Sequence, residues 1–448
     1  MRRFGKSAGV VFGVLCAAAV TTAASSAQAK TSWTQVHQEM NQGNSIMALT
    51  ALDATHAWAL GQKSSGSNTE MFALGTTDGA TWVTVGLPVG YQLMMPLTLA
   101  FADPNNGWMG GFTGKGGRVW RTTDGGSSWS EALPTGQEIP VHMQAFTSGQ
   151  MYAVGSNYVV AYDGQQYQKI TVEPASGLSL KAVSMLNPTC GYVLAAADTD
   201  SAPGSALYWT NDSGATWTQQ GATLDYNLVR MSWVSKNLGW AAGAKGGAGI
   251  VARTTDAGAT WTAVSIPDHP PSGNMIKDPV PASDCFDVKF FDNNRGVATC
   301  VACTGGCDPD AGPPTLLTVF VRTEDGGQSW VMDPDYEAAM GGPFMKLSGL
   351  YFLAFPDPNH GFIAGTNNMV LRYVADTEEA PGWEQPTCEA TGGGGNGSGG
   401  SGAGASNGAP GGASEDSGCG CHAAAAGATG FWLAAGLGLL ALGRRRRR

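Results

Sequence analysis

Charge is what this chain has least of. Asp, Glu, Lys and Arg together make up 13% of its 448 residues, about half the share of an ordinary globular protein. The scarcity is also one-sided. Setting aside Arg2, Arg3, Lys6 and the five terminal arginines leaves 17 basic residues against 35 acidic ones, a net charge of −18. A phosphate backbone would be repelled, which argues against nucleic acid as a partner. The folded region also has no Gly-x-Ser-x-Gly elbow, phosphate loop or His-x-x-x-His pair, so three common catalytic and metal frameworks are missing. His37, His56, His142, His269 and His360 are scattered singly and read as surface or turn residues. No cofactor signature remains, and none is expected.

Both ends read as addresses. Residues 1–29 carry basic residues, an apolar run and Ala27-Gln28-Ala29, the pattern of a secretory signal peptide. Residues 391–418, rich in Gly and Ser, cannot bury a core and read as a disordered linker reaching roughly 30 Å by random-coil scaling. Residues 423–443 are uncharged and precede Arg444–Arg448, the pattern of a transmembrane helix with its arginines on the cytoplasmic side. The folded domain is therefore expected within 30–390.

That domain repeats itself. RTTDGGSSW at 121–129 returns as RTTDAGATW at 253–261 and RTEDGGQSW at 322–330. A catalytic site is normally written once, so repetition points to architecture. The Asp of this motif recurs at Asp78, Asp124, Asp212, Asp256 and Asp325, with a decayed copy at Asp163 whose four-residue spacing to Tyr167 matches Asp78 to Trp82. A last decayed copy ends at Trp383. A second element occurs seven times, as in HAWALG, NGWMGG and LGWAAG. Each unit of about 45 residues has room for four short strands, and seven such units predict an all-β, seven-bladed β-propeller. The strand around Trp33 resembles those that follow the motif and is expected to close the ring in the last blade.

Thr122–Trp129, Thr210–Trp217, Thr254–Trp261 and Thr323–Trp330 match Ser/Thr-x-Asp-x-Gly-x-Ser/Thr-Trp in full. This resembles the Asp box, or BNR repeat. With the GW strands, the arrangement is similar to propellers of the photosystem II stability/assembly factor type. The motif's chemistry is that of a hairpin corner: a short carboxylate accepts backbone N–H groups and a hydroxyl, and Gly supplies a positive φ. Arg121, Arg253 and Arg322, at one position before the motif, are expected to pair with its carboxylates. The tail Ser417–Arg448, with Cys419-Gly-Cys421, an apolar span and an arginine cluster, resembles the MYXO-CTERM sorting signal. That resemblance implies a sorting protease acting near Cys419 and Cys421 and a membrane anchorage at the outer surface of an exported protein.

Asp boxes occur in sialidases too, whose three-arginine carboxylate clamp is not available here: most of the seven arginines in the folded region lie beside the motif. An endoglucanase-like carboxylate pair would have to come from Glu70, Asp284, Asp333, Asp335 or Glu337. Six cysteines, Cys190, Cys285, Cys300, Cys303, Cys307 and Cys388, point to disulfides in an oxidising compartment; Cys300, Cys303 and Cys307 could alternatively form a zinc knuckle without an evident fourth ligand. Two insertions, 267–285 and 300–315, depart from the repeat in the sixth blade and fall on the face opposite the motif. A disulfide from Cys285 to Cys300, Cys303 or Cys307 would stiffen them. The candidate partner-binding face comprises Tyr226, Arg230, Asp284, Asp308, Asp310, Asp333, Asp335 and Tyr336. The reading is a surface-anchored, non-enzymatic propeller binding a protein, peptide or glycan. A displayed glycoside hydrolase and an assembly factor for an envelope complex are the alternatives.

Overall fold

A computed structural model describes residues 30–39, 44–65, 68–89, 93–136, 138–198, 204–271, 277–303, 316–339, 349–376 and 388. The expected signal peptide, linker, transmembrane helix and sorting segment lie outside these residues, as do Asp308, Asp310 and Trp383. Among the described residues no helix is long and apolar enough to cross a membrane.

The described strands form seven antiparallel sheets of four strands each, the blades of a seven-bladed β-propeller. Blades 1 to 6 span 45–85, 93–136, 142–171, 178–224, 227–265 and 282–332; blade 7 takes three strands from 350–376. Its fourth, outer strand is the N-terminal Lys30–His37, paired antiparallel with Val370–Asp376 so that Trp33 faces Tyr373. The ring is closed by its two ends, as the sequence around Trp33 implied. Trp33 also meets Phe320 of blade 6 at 4.8 Å and Tyr336 at 5.5 Å.

The recurrent glycine of the GW strands has a steric cause. In blades 2, 5, 6 and 7 the inner strand carries an aromatic ring beside the glycine that opens the second strand. A Cβ there would lie within 2.4–2.6 Å of Phe101, Trp233 or Phe355 at Gly107, Gly239 and Gly361, and 2.7 Å from Phe290 at Gly296. Where the inner residue is small, Ala51 or Ala145, the second strand opens with Ala57 or Met151 instead. The inner ring then receives an aromatic from the preceding blade: Trp58 stacks on Phe101 at 3.7 Å, Tyr192 on Trp233 at 3.8 Å and Trp240 on Phe290 at 3.5 Å. The motif tryptophans Trp129, Trp261 and Trp330 close each stack edge-on. Each such aromatic pair adds about 0.5–1.5 kcal/mol beyond its buried area, so these stacks weld neighbouring blades.

Two faces follow from the connectivity. One carries the hairpins joining inner to second strands and third to outer strands; we call it the turn face. The other carries the blade-to-blade links and is called the connection face.

Candidate functional site

The repeated motif folds into one turn, always on the turn face. In blade 2 the Thr122 hydroxyl donates to Asp124 Oδ1 and accepts the Gly126 N–H; the Ser128 N–H donates to Oδ1 and its hydroxyl to Oδ2. The same set recurs around Asp212, Asp256 and Asp325. Asp78, in its shorter copy, accepts the N–H groups of Ala80 and Thr81, and Asp163 accepts those of Gln165 and Gln166. The decayed third copy thus keeps the geometry of the first, as its spacing implied. These bonds hold the carboxylates ionised: for Asp124 the Ser128 hydroxyl and N–H lower the pKa most, and for Asp325 the bonds from Ser329 outweigh burial and hold it at about 2. In the four full copies both carboxylate oxygens are engaged by the turn itself.

The repeated arginines do not pair with these carboxylates, contrary to the sequence expectation. They reach the next blade instead. Arg121 donates to the Tyr162 hydroxyl at 2.9 Å and lies over the Trp108 ring, and Arg372, at the same position in blade 7, donates to the Ala54 oxygen in blade 1. Arg322 faces Asp333 at 3.7 Å.

The ring encloses a central channel of about 650 Å³, a volume typical of ligand sites. The seven inner strands line it, and their free edges present unpaired backbone N–H groups. Polar side chains of the preceding blade cap several of them. His142 Nδ1 accepts the Val183 N–H, Gln144 accepts the Met185 N–H and donates to the Met185 oxygen, Ser232 accepts the Phe290 N–H, and Asp287 accepts the Leu353 N–H. Two cations share this lining, Arg230 and Lys289. Arg230 Nη1 donates to the oxygens of Val229 at 2.9 Å and Lys181 at 3.4 Å.

Polarity is divided around the channel. The ionisable and amide side chains, His142, Gln144, Arg230, Asp287 and Lys289, belong to blades 3, 5 and 6, whereas blades 7, 1 and 2 contribute Phe352, Leu353, Met47, Leu49 and Leu97 with the hydroxyls of Thr50 and Thr98. The charged groups open onto the channel yet have protein on every other side. Burial raises the Asp287 pKa to about 6 despite Arg230 and two backbone N–H groups. Burial also lowers Lys289 and Arg230 from their usual values, and burial with the Arg230 charge holds His142 well below its own. His142 is therefore neutral at neutral pH.

The residues singled out for a binding face separate into three groups. Tyr226 lies in a blade-to-blade link on the connection face, half-buried beneath the Lys245 ammonium, and Asp284 lies half-buried near the connection-face end of its strand. Arg230 is inside the channel. Asp333 is fully buried, accepts the N–H groups of Asp335 and Tyr336 to cap the short helix Pro334–Ala339, and faces Arg322; Tyr336 is 2% exposed against Trp33. These two offer no surface to a partner, because the helix packs inward onto the closing strand. His142 and the 2%-exposed His269 are likewise interior rather than surface residues.

Disulfides join Cys190 to Cys388 and Cys285 to Cys300, and Cys303 is disulfide-bonded as well. Cys285 and Cys300 sit opposite each other on the inner and second strands of blade 6, 1% and 0% exposed. That bond is in the blade's core and not in a raised loop, since the second strand runs on to Cys303. It also removes Cys300 as a zinc thiolate. Among the described residues no group of three His, Cys, Asp or Glu could hold a metal ion.

No protein-family model matches the chain, and none of the curated proteins does. Solved structures do. YCF48 bound to D1 peptide aligns with a TM-score of 0.50 at 20% identity, covering 77% of this chain and 95% of that one. YCF48 from Cyanidioschyzon merolae gives 0.51 at 17% identity over 77% and 98%. Catalytically inactive virginiamycin B lyase from Staphylococcus aureus with quinupristin gives 0.51 at 11% identity over 77% and 99%. At these identities the likeness is one of fold: this chain is built as those propellers are.

Proposed function

We propose that this protein is a non-enzymatic Asp-box propeller that binds a protein or peptide partner, displayed at the cell surface by a MYXO-CTERM-type tail. One observation carries the binding reading: the repeated carboxylates are consumed by their own turns, while a ligand-sized channel holds charged groups drawn from several blades. The YCF48 structure with D1 peptide supports a peptide as the kind of partner. A glycoside hydrolase needs two carboxylates about 5–10 Å apart, and Asp287 is the only acidic residue lining the channel among those described. An assembly factor would be one use of peptide binding, and we group it with this reading.

The test is capture. The purified protein, immobilised and exposed to envelope extract, is expected to retain a discrete partner that an unrelated propeller does not. Failure to retain any protein or peptide under native conditions refutes the reading. The tail is tested separately: C-terminal peptide mass spectrometry of surface fractions should end near Cys419 or Cys421. Recovery of Arg444–Arg448 would replace sorting by a plain membrane anchor.

A further inference from the structure

We propose that the channel receives the C-terminal carboxylate of an extended peptide, entering from the connection face and bound by Arg230, with Lys289 one tier deeper. The proposal deepens the peptide-binding reading and rests on it.

His142, Gln144, Ser232 and Asp287 each satisfy a backbone N–H of the next blade's inner strand. Closing the ring explains them without a ligand. Arg230 is different: its hydrogen-bond partners are two carbonyl oxygens, both on Nη1, and no carboxylate lies within ion-pair distance of it among the described residues. An arginine in the wall of a protein interior normally has a carboxylate partner, because an uncompensated charge there is costly. Asp287 acts on it only at longer range, and Asp287 must also serve Lys289. Asp287 is the only acidic side chain lining the channel among the described residues, and it lies beyond ion-pair distance of Arg230. A ligand carboxylate would supply the partner Arg230 lacks, and a guanidinium binds one through two parallel hydrogen bonds.

The rest of the lining selects the body of the ligand. Met47, Leu49, Leu97 and Phe352 form an apolar arc facing the cations. A sugar would need many hydrogen bonds, and on this side only Thr50 and Thr98 carry hydroxyls, while the polar arc has mostly spent its own on capping. A peptide end with an apolar last side chain fits both halves.

The direction of entry follows from register. Inner strands run from the connection face to the turn face. Arg230 stands four residues before Val234, whose N–H closes the hairpin on the turn face; Lys289 stands two before the equivalent Phe291. An anion entering from the connection face meets Arg230 first. From the turn face an anion would instead pass Asp53, Asp103, Asp292 (paired with Arg295 at 2.7 Å) and Asp357, each held by its own turn, before reaching either cation.

The probe is a pool of hexapeptides ending in Leu, Met or Phe, offered to the purified protein as free acids and as C-terminal amides, with binding read by mass spectrometry. The free acids are expected to be enriched at least tenfold over the amides. Arg230→Gln should abolish the preference, and Asp287→Asn, which removes the one negative charge lining the channel among the described residues, should strengthen binding of the free acids. Leu49→Trp, which narrows the apolar arc without touching a charge, should weaken the acids. Equal retention of acids and amides, retention of neither, or a preference that survives in Arg230→Gln with unchanged melting overturns the proposal. Wild-type capture of the envelope partner by that variant also overturns it, while leaving the broader peptide-binding reading intact.

Discussion

Loss of the Cys190–Cys388 disulfide should weaken this propeller more than loss of Cys285–Cys300, although the second is the more deeply buried. Cys190 follows the turn-face hairpin of blade 4, and Cys388 lies 198 residues on, beyond the last strand of blade 7. The bond therefore spans the ring from blade 4 to the chain that leaves blade 7. In the chain-entropy account a cross-link acts on the unfolded state, and a loop of that length corresponds to roughly 5 kcal/mol. The 15-residue loop closed by Cys285–Cys300 corresponds to roughly 3 kcal/mol. Measured values often fall below these limits, so the ordering is the sharper prediction. Equilibrium urea unfolding of Cys190→Ser/Cys388→Ser and of Cys285→Ala/Cys300→Ala, with unchanged slopes, gives both numbers. A loss below about 1 kcal/mol for the first pair, or a larger loss for the second, would refute the reasoning. There is a mechanical corollary. Tension on the C-terminal tail passes through Cys388 into blade 4, sparing the Val370–Asp376 strand whose pairing with Lys30–His37 closes the ring.

Three further outcomes are expected. Asp325→Asn should lower the melting temperature and leave partner capture unchanged; because the folded carboxylate titrates near 2, its stabilisation is complete above about pH 4 and fades as pH falls through that window, so the variant should lose this part of the acid sensitivity. Asp287, raised to about 6, behaves oppositely: its ionisation costs the fold above that pH and nothing below about 4. Asp287→Asn, which can still accept the Leu353 N–H, should therefore stabilise the protein at pH 7–8 by at most about 3 kcal/mol, with the gain gone by about pH 4, as thermal melts across pH will show. Ala257 occupies a left-handed conformation (φ 62°) where blades 2 and 6 have Gly125 and Gly326; Ala257→Gly should raise the melting temperature slightly, since relief of about 1–2 kcal/mol of strain exceeds the added unfolded-state entropy.

The fold was legible because its signals are local and repeated. One hairpin corner needs Thr, Asp, Gly and Trp within eight residues, so the chain had to write that string in most blades, and even the worn copy at Asp163 retains its two-bond turn. The closing strand was legible from Trp33 for the same reason. The channel was not. Each inner strand lines it with only a short run of residues, so His142, Arg230, Asp287 and Lys289 converge from three blades without forming a motif. Sequence also misjudged residues whose surroundings are set by distant packing. Asp333 and Tyr336 read as an exposed loop but cap and anchor a helix turned onto Trp33, and the repeated arginines reach across to the next blade because their own turns are already satisfied.

Site-specific photo-crosslinking tests most directly whether binding belongs to the channel and structure to the turns. A diazirine side chain close to leucine in size, placed at Leu49 in the apolar arc or at the exposed Ser127 of a repeat turn, is irradiated in the presence of envelope extract. The account predicts a discrete adduct from position 49 and none from position 127. An adduct from position 127 alone would contradict it.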